Sequence, residues 1–199
     1  MNGRIVILNG APRAGKSSIV AAVMARLPGR WVNLGVDEMR RRTPEEEQPG
    51  IGLRPGGERP DLEPAVQRLY AQLYDDIARN ARAGCDVVVD VGHHDWYSRP
   101  LGILPAAARQ LAGLPVLFVG VRCPVEVIMA RRNAAPEGYV AGPGVPEPVR
   151  RWQQAVHEPG LYDLDVDSSM LTPEEAADMI AAALADPPRP SAFEQMARQ

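Results

Sequence analysis

Apolar positions along the chain follow two alternating rhythms. Short continuous runs at RIVILN (4–9), WVNLGV (31–36), DVVVDV (86–91), VLFVGVR (116–122) and LYDLDV (161–166) predict five strands. Unbroken Val/Ile/Leu content in three of them predicts burial on both faces. Between the runs the apolar residues recur at three and four. Ile19, Val20, Val23, Met24 and Leu27 form one helical stripe. Val66, Leu69, Tyr70, Leu73 and Ile77 form a second, opened by Pro64 and closed by Gly84. CPVEVIMARRN (123–133) reads as a further helix. TPEE (172–175) opens a last one, where Thr172 caps, Pro173 fits the first turn and Glu175 completes a capping box. Strands alternating with helices are the pattern of strand-helix-strand units. The expected fold is therefore α/β, a three-layer sandwich with a five-stranded parallel sheet flanked by helices.

Two segments interrupt these rhythms. Residues 43–63 and 133–148 are rich in proline and glycine and predict long loops, the first of them mobile. Loops of that length in a compact domain are more often functional than accidental. With 199 residues, no internal repeat and no composition break, the chain is expected to form one domain over 1–186, followed by a proline-broken C-terminal tail, 187–199. The tail is expected to be disordered or to pack as a short arm.

Charge and composition narrow the classes. A formal charge of −3 argues against a general nucleic-acid surface. No run approaches the roughly 18 apolar residues needed to span a membrane, and the first residues lack the apolar stretch of a signal peptide, so a cytoplasmic location is expected. Cys85 and Cys123 sit in or beside apolar runs and read as reduced, partly buried thiols.

The chemistry is concentrated after the first strand, in GAPRAGKSS (10–18). Gly10, Gly15, Lys16 and Ser17 match a phosphate-binding loop, and a strand before and a helix after are the context that motif requires. Ala11, Pro12, Arg13, Ala14 and Ser18 complete the nucleotide-binding stretch. Backbone N–H groups would turn onto phosphate oxygens, Lys16 would reach the β- and γ-phosphates, and Ser17 would hold Mg²⁺. Lys16 is the only lysine in a chain that uses arginine at every other cationic position. A compact ammonium suits phosphate approach from one side better than a planar fork does.

Other candidates follow the later strands. Asp37 comes after the second strand, where a carboxylate faces the ligand crevice as general base, caps the helix EMRR, or does both. Asp90 ends a short apolar strand in the manner of a second Mg²⁺ ligand beside Ser17. His93, His94 and Asp95 lack helical metal-ligand spacing and read as substrate contacts or a solvated turn. His93 and His94 with Trp96 would form one wall of an acceptor pocket, next to the loop 43–63. Arg131 and Arg132 end a helix before the second loop, as lid arginines that neutralise phosphate charge or as cations favourable at a helix C-terminus.

IVILNGAPRAGKSSIV, GVDEM, VVVDV, VLFVGVRCPVEV with ARR, and VHEPGLYDLDVDSS together resemble the chloramphenicol phosphotransferase family of P-loop kinases, in that family's order. The resemblance weakens at NAAPEGY and in 43–63. It implies that Lys16 and Ser17 serve ATP and Mg²⁺, that Asp37 deprotonates the acceptor hydroxyl, and that arginines near Arg131 and Arg132 contact phosphate. The expected function is ATP-dependent transfer of the γ-phosphate to a hydroxyl of a small molecule, an antibiotic of the chloramphenicol type among the acceptors. Rival readings are a kinase of a nucleoside or other metabolite, or a nucleotide-binding regulator. No nucleic-acid or membrane partner is expected, and a homo-oligomer is left open.

Overall fold

In a computed structural model describing residues 1–135 and 144–198, the five apolar runs become parallel strands: β1 (Ile5–Asn9), β2 (Trp31–Asn33), β3 (Asp86–Val91), β4 (Val116–Arg122) and β5 (Leu164–Asp167). They lie in one sheet in the order β2-β3-β1-β4-β5. β1 is central, with Ile5 level with Val87 of β3 and Val116 of β4. Successive side chains of a strand face opposite ways, so β1 feeds two cores. Ile5 and Ile7 pack with Leu73, Phe118 and Phe193 on one face, and Val6 and Leu8 with Val23, Val119 and Ile180 on the other.

Eight helices cover the sheet among the described residues: α1 (Lys16–Arg26), α2 (Val36–Arg42), α3 (Glu63–Arg82), α4 (Ile103–Gln110), α5 (Val125–Ala134), α6 (Glu147–Ala155), α7 (Pro173–Ala185) and α8 (Ala192–Met196). The stripe on α3 is buried as its spacing requires, from Val66 to Ala81. Thr172 and Glu175 form the expected capping box at α7. No helix among the described residues is long and apolar enough to cross a membrane.

Several boundaries differ from the pattern. β2 stops at Asn33 because the Asn33 side chain accepts a bond from the Gly35 N–H at 2.9 Å, which turns the chain into α2. β5 begins three residues later than its apolar run. Asp163 instead clasps β4, its N–H donating to the Phe118 carbonyl and its carboxylate accepting from the Phe118 N–H, both at 2.8 Å. The segment 43–63, expected as a loop, contains three short 3₁₀ turns, Glu45–Glu47, Gly50–Leu53 and Pro60–Leu62. Proline carbonyls accept within these turns, from the Glu47 N–H at Pro44 and from the Gly52 N–H at Pro49. The Gly56 N–H also donates to the Trp96 carbonyl at 2.7 Å. Within 133–148, α5 and α6 take up both ends, and residues 136–143 lie outside the described residues. The tail forms α8, whose Phe193 and Met196 are buried. Its first N–H, from Ala192, donates to the Asp163 carboxylate at 2.6 Å.

Candidate active site

The C-terminal ends of β1, β2 and β3 open into a cavity of about 740 Å³. Its floor is the loop between β1 and α1. Gly15 has φ of 89° and Arg13 of 67°, the latter the one non-glycine residue among those described in the left-handed region. Such a conformation costs on the order of 1–3 kcal/mol in a non-glycine residue. It turns successive N–H groups toward one point, an anion-binding arrangement that the N-terminus of α1 reinforces. Ala11 and Ala14 face inward and are buried, while Gly10, Pro12, Arg13, Gly15, Lys16, Ser17 and Ser18 line the cavity. The Lys16 ammonium folds back over the loop and donates to the carbonyls of Gly10 at 2.8 Å and Ala11 at 2.9 Å. Burial lowers its pKa to about 8, against the opposing pull of the Asp90 and Asp37 carboxylates.

Of those two carboxylates, Asp90 lies on β3 and Asp37 on the helix that follows the neighbouring strand β2. Asp90, near the end of β3, accepts from the Ser17 hydroxyl at 3.0 Å, so the two residues read as an Mg²⁺ pair are in contact. The carboxylate occupies this place because residue 35 lacks a side chain. A methyl on Gly35 would fall on the Asp90 oxygen. Asp37 is exposed in the first turn of α2 and lines the cavity. The Met39 N–H bonds to the Gly35 carbonyl, which places Asp37 inside the helix and not at its cap.

The remaining candidates divide. Arg131 lines the cavity, but its guanidinium is held by backbone and side-chain oxygens: the Arg13 carbonyl at 3.3 Å, the Ser168 hydroxyl at 3.1 Å and the Ser168 carbonyl at 2.6 Å. It braces the phosphate loop against the turn after β5. Arg132, one residue on, is half-buried and does not line the cavity. His93, His94 and Trp96 do not line it either. His93 is 3% exposed and bonds the Tyr74 hydroxyl at 2.5 Å, and its N–H donates to the Asn9 side chain at 2.6 Å. Burial lowers its pKa to about 3. His94 accepts from the Trp96 N–H at Nδ1, so Nε2 carries the proton and donates to the Leu53 carbonyl at 3.0 Å. Trp96 donates its indole N–H to Glu158 at 2.7 Å. The expected acceptor wall is therefore a layer behind the cavity, tying 43–63 to the exit of β3.

The wall itself is made of residues the sequence reading passed over as site candidates. Val36, Leu53, Tyr70, Val91 and Trp152 line the same cavity as Asp37 and Arg131, together with Ser168, Leu171 and Pro173. Trp152, from α6, packs against Gly92 and meets the edge of His94 at 5.1 Å. A tryptophan in RRWQQ gave no periodic signal for a cavity. The stretch DLDVDSS, which leads to Ser168, carried the family resemblance without naming a contact.

The family of chloramphenicol phosphotransferase-like proteins matches residues 3–185. No curated protein sequence matches the chain. Solved structures share its fold at low identity. The APS kinase of Mycobacterium tuberculosis, in complex with AMPPNP and APS, is 17% identical over 93% of this chain and 99% of that chain, with a TM-score of 0.60. A shikimate kinase from Acinetobacter baumannii, in complex with shikimate, is 12% identical over 92% and 93%, with a TM-score of 0.60. A tunicamycin resistance protein of Deinococcus radiodurans is 20% identical over 92% and 95%, with a TM-score of 0.58. With the strand order, the phosphate loop and the family match in agreement, the chain belongs to the chloramphenicol phosphotransferase-like family and has the fold of P-loop kinases.

Proposed function

We propose that the protein is an ATP-dependent O-phosphotransferase that moves the γ-phosphate of ATP to a hydroxyl of a small molecule, with antibiotics of the chloramphenicol type as the first acceptors to test. One observation carries this reading: Lys16, the Ser17–Asp90 pair and Asp37 converge on a single cavity. In the transfer, the acceptor oxygen forms a bond to the γ-phosphorus while the bond to the β–γ bridging oxygen breaks and ADP leaves. The hydroxyl proton passes to the Asp37 carboxylate. Lys16 leaves the loop carbonyls for the phosphates, and loop N–H groups hold the developing charge in fixed positions. Arg131 acts by holding the loop and the turn at Ser168 in register.

Ser17 and Asp90 fit Mg²⁺ as a hydroxyl and a carboxylate, both hard oxygen donors. Among the described residues no cluster of three or more His, Cys, Asp or Glu suited to a metal exists, so Ser17 and Asp90 are the side chains that would hold Mg²⁺ with the nucleotide. When bound, Mg²⁺ supplies charge neutralisation between the β- and γ-phosphates. Part of the cavity lining is apolar, Val36, Leu53, Val91 and Trp152 among it, which suits an uncharged acceptor.

ADP release from ATP, measured with chloramphenicol and with a panel of hydroxylated antibiotics and nucleosides, tests the proposal. At least one compound is expected to stimulate release, and Asp37→Asn to lower kcat by roughly 10²-fold or more, while ATP affinity and melting temperature stay near those of the wild type. ATP binding without stimulation by any acceptor would point to a nucleotide-binding regulator. Full turnover in the Asp37→Asn variant would remove Asp37 as the base.

A further inference from the structure

Tyr70 stands on the boundary between the main cavity and a second, smaller one of about 110 Å³. The smaller cavity lies between α3 and α4 and is lined by Tyr74, Leu101, Ile103 and Ala107 as well as Tyr70. Tyr70 and Tyr74 are one helical turn apart on α3 and both pack on His93, but their hydroxyls differ. The Tyr74 hydroxyl is committed to the His93 ring at 2.5 Å. The Tyr70 ring packs on the same histidine, centroids 4.6 Å apart, yet no described residue hydrogen-bonds its hydroxyl. That hydroxyl is not shut off from the cavities it borders, although the residue is only 3% exposed. A hydroxyl that reaches a cavity and has no protein partner is available to donate to a ligand there.

We infer that Tyr70 is an acceptor-binding residue whose hydroxyl donates a hydrogen bond to the acceptor and whose ring closes the inner end of the acceptor subsite. The inference rests on the phosphotransferase reading above. Besides the loop and Asp90, read above as serving phosphate and Mg²⁺, and Arg131 and Ser168, which bond each other, the cavity is lined by Val36, Leu53, Val91 and Trp152, which leaves Asp37 and the Tyr70 phenol as polar groups able to orient an acceptor. Burial keeps the phenol protonated and hence a donor at any working pH. The ring is held from behind by His93, which Tyr74 and Asn9 lock in place.

The test uses the acceptor that gives the strongest ADP release with the wild-type protein. Tyr70→Phe keeps the ring and removes the donor. It is expected to raise the acceptor KM about 3- to 10-fold, to leave the ATP KM and kcat within about 2-fold, and to leave the melting temperature unchanged. Tyr70→Ala joins the two cavities and should shift preference toward analogues of that acceptor carrying a bulkier group; the phenylalanine substitution decides the matter if this variant does not fold. An unchanged acceptor KM in Tyr70→Phe, with normal wild-type turnover, overturns this inference and leaves the parent reading intact. An ATP KM that rises in step with the acceptor KM assigns Tyr70 to structure and also overturns it. Wild-type protein that responds to no acceptor overturns the parent reading and this one with it.

Discussion

At the scale of single residues, the site depends on atoms that are absent as much as on those present. The Asp90 carboxylate reaches Ser17 because Gly35, distant in sequence and opposite in the fold, has no Cβ to meet it. Gly35→Ala should therefore displace Asp90 from Ser17 without touching the phosphate loop. A displaced ligand typically weakens metal binding by about 10-fold or more. The Mg²⁺ concentration for half-maximal ADP release should rise by that factor, while ATP binding measured in the presence of a chelator stays close to wild type. An unchanged Mg²⁺ requirement would show that the contact with Gly35 does not hold Asp90. Gly10 and Gly15 were legible in the sequence because a motif surrounds them. Gly35 was not, since a lone glycine before a helix says nothing of the side chain it will face.

At the scale of elements, the long helix α3 was written in its apolar spacing, but its anchor was not. Glu63, 5% exposed at the first residue of α3, accepts from the Ser98 N–H at 2.7 Å and from the Ser98 hydroxyl at 2.6 Å. This fastens the segment after β3 to the end of 43–63, in the same layer where His94 holds Leu53. Glu63→Ala removes two hydrogen bonds from Ser98 to a buried carboxylate, at a cost of about 1–3 kcal/mol. For a chain of this size that corresponds to a melting temperature lower by roughly 3–10 °C. Because Leu53 belongs to the apolar part of the cavity lining, the acceptor KM should rise more than the ATP KM. Thermal melts and two-substrate kinetics together check this, and equal changes in both KM values would count against a role confined to the acceptor side. Proline and glycine in 43–63 announced a loop correctly as non-helical, but not its 3₁₀ turns. Those turns depend on partners at Trp96 and His94 that local sequence does not contain.

At the scale of the whole molecule, all three histidines of the chain titrate abnormally. Burial lowers His93 to about 3 and His157 to about 4, and lowers His94 as well. In the unfolded chain each takes up a proton near pH 6.5. Below that point the unfolded state binds more protons than the folded one, so stability is full above about pH 6.5 and falls as the pH drops toward 4 and below. Asp86, held low chiefly by its hydrogen bond from Arg4, adds a loss only at still lower pH, once the unfolded carboxyl protonates near 3.8. Melting temperature measured from pH 7.5 to 4 should therefore decline steadily, and His157→Gln should flatten part of that decline. A flat profile over this range would mean the histidines are not shielded as described. Taken alone, the sequence determined the class of fold, the central strands, the phosphate loop and both carboxylates of the site. Those features are local, carried by periodicity or by a motif whose residues are contiguous. Only the tertiary structure decided that the Arg131 guanidinium meets Arg13 and Ser168, that His93, His94 and Trp96 fall outside the cavity lining, and that Tyr70 and Trp152 belong to it. Each of those outcomes depends on which side chains meet across different elements of the folded sheet, and no spacing along the chain encodes such a meeting.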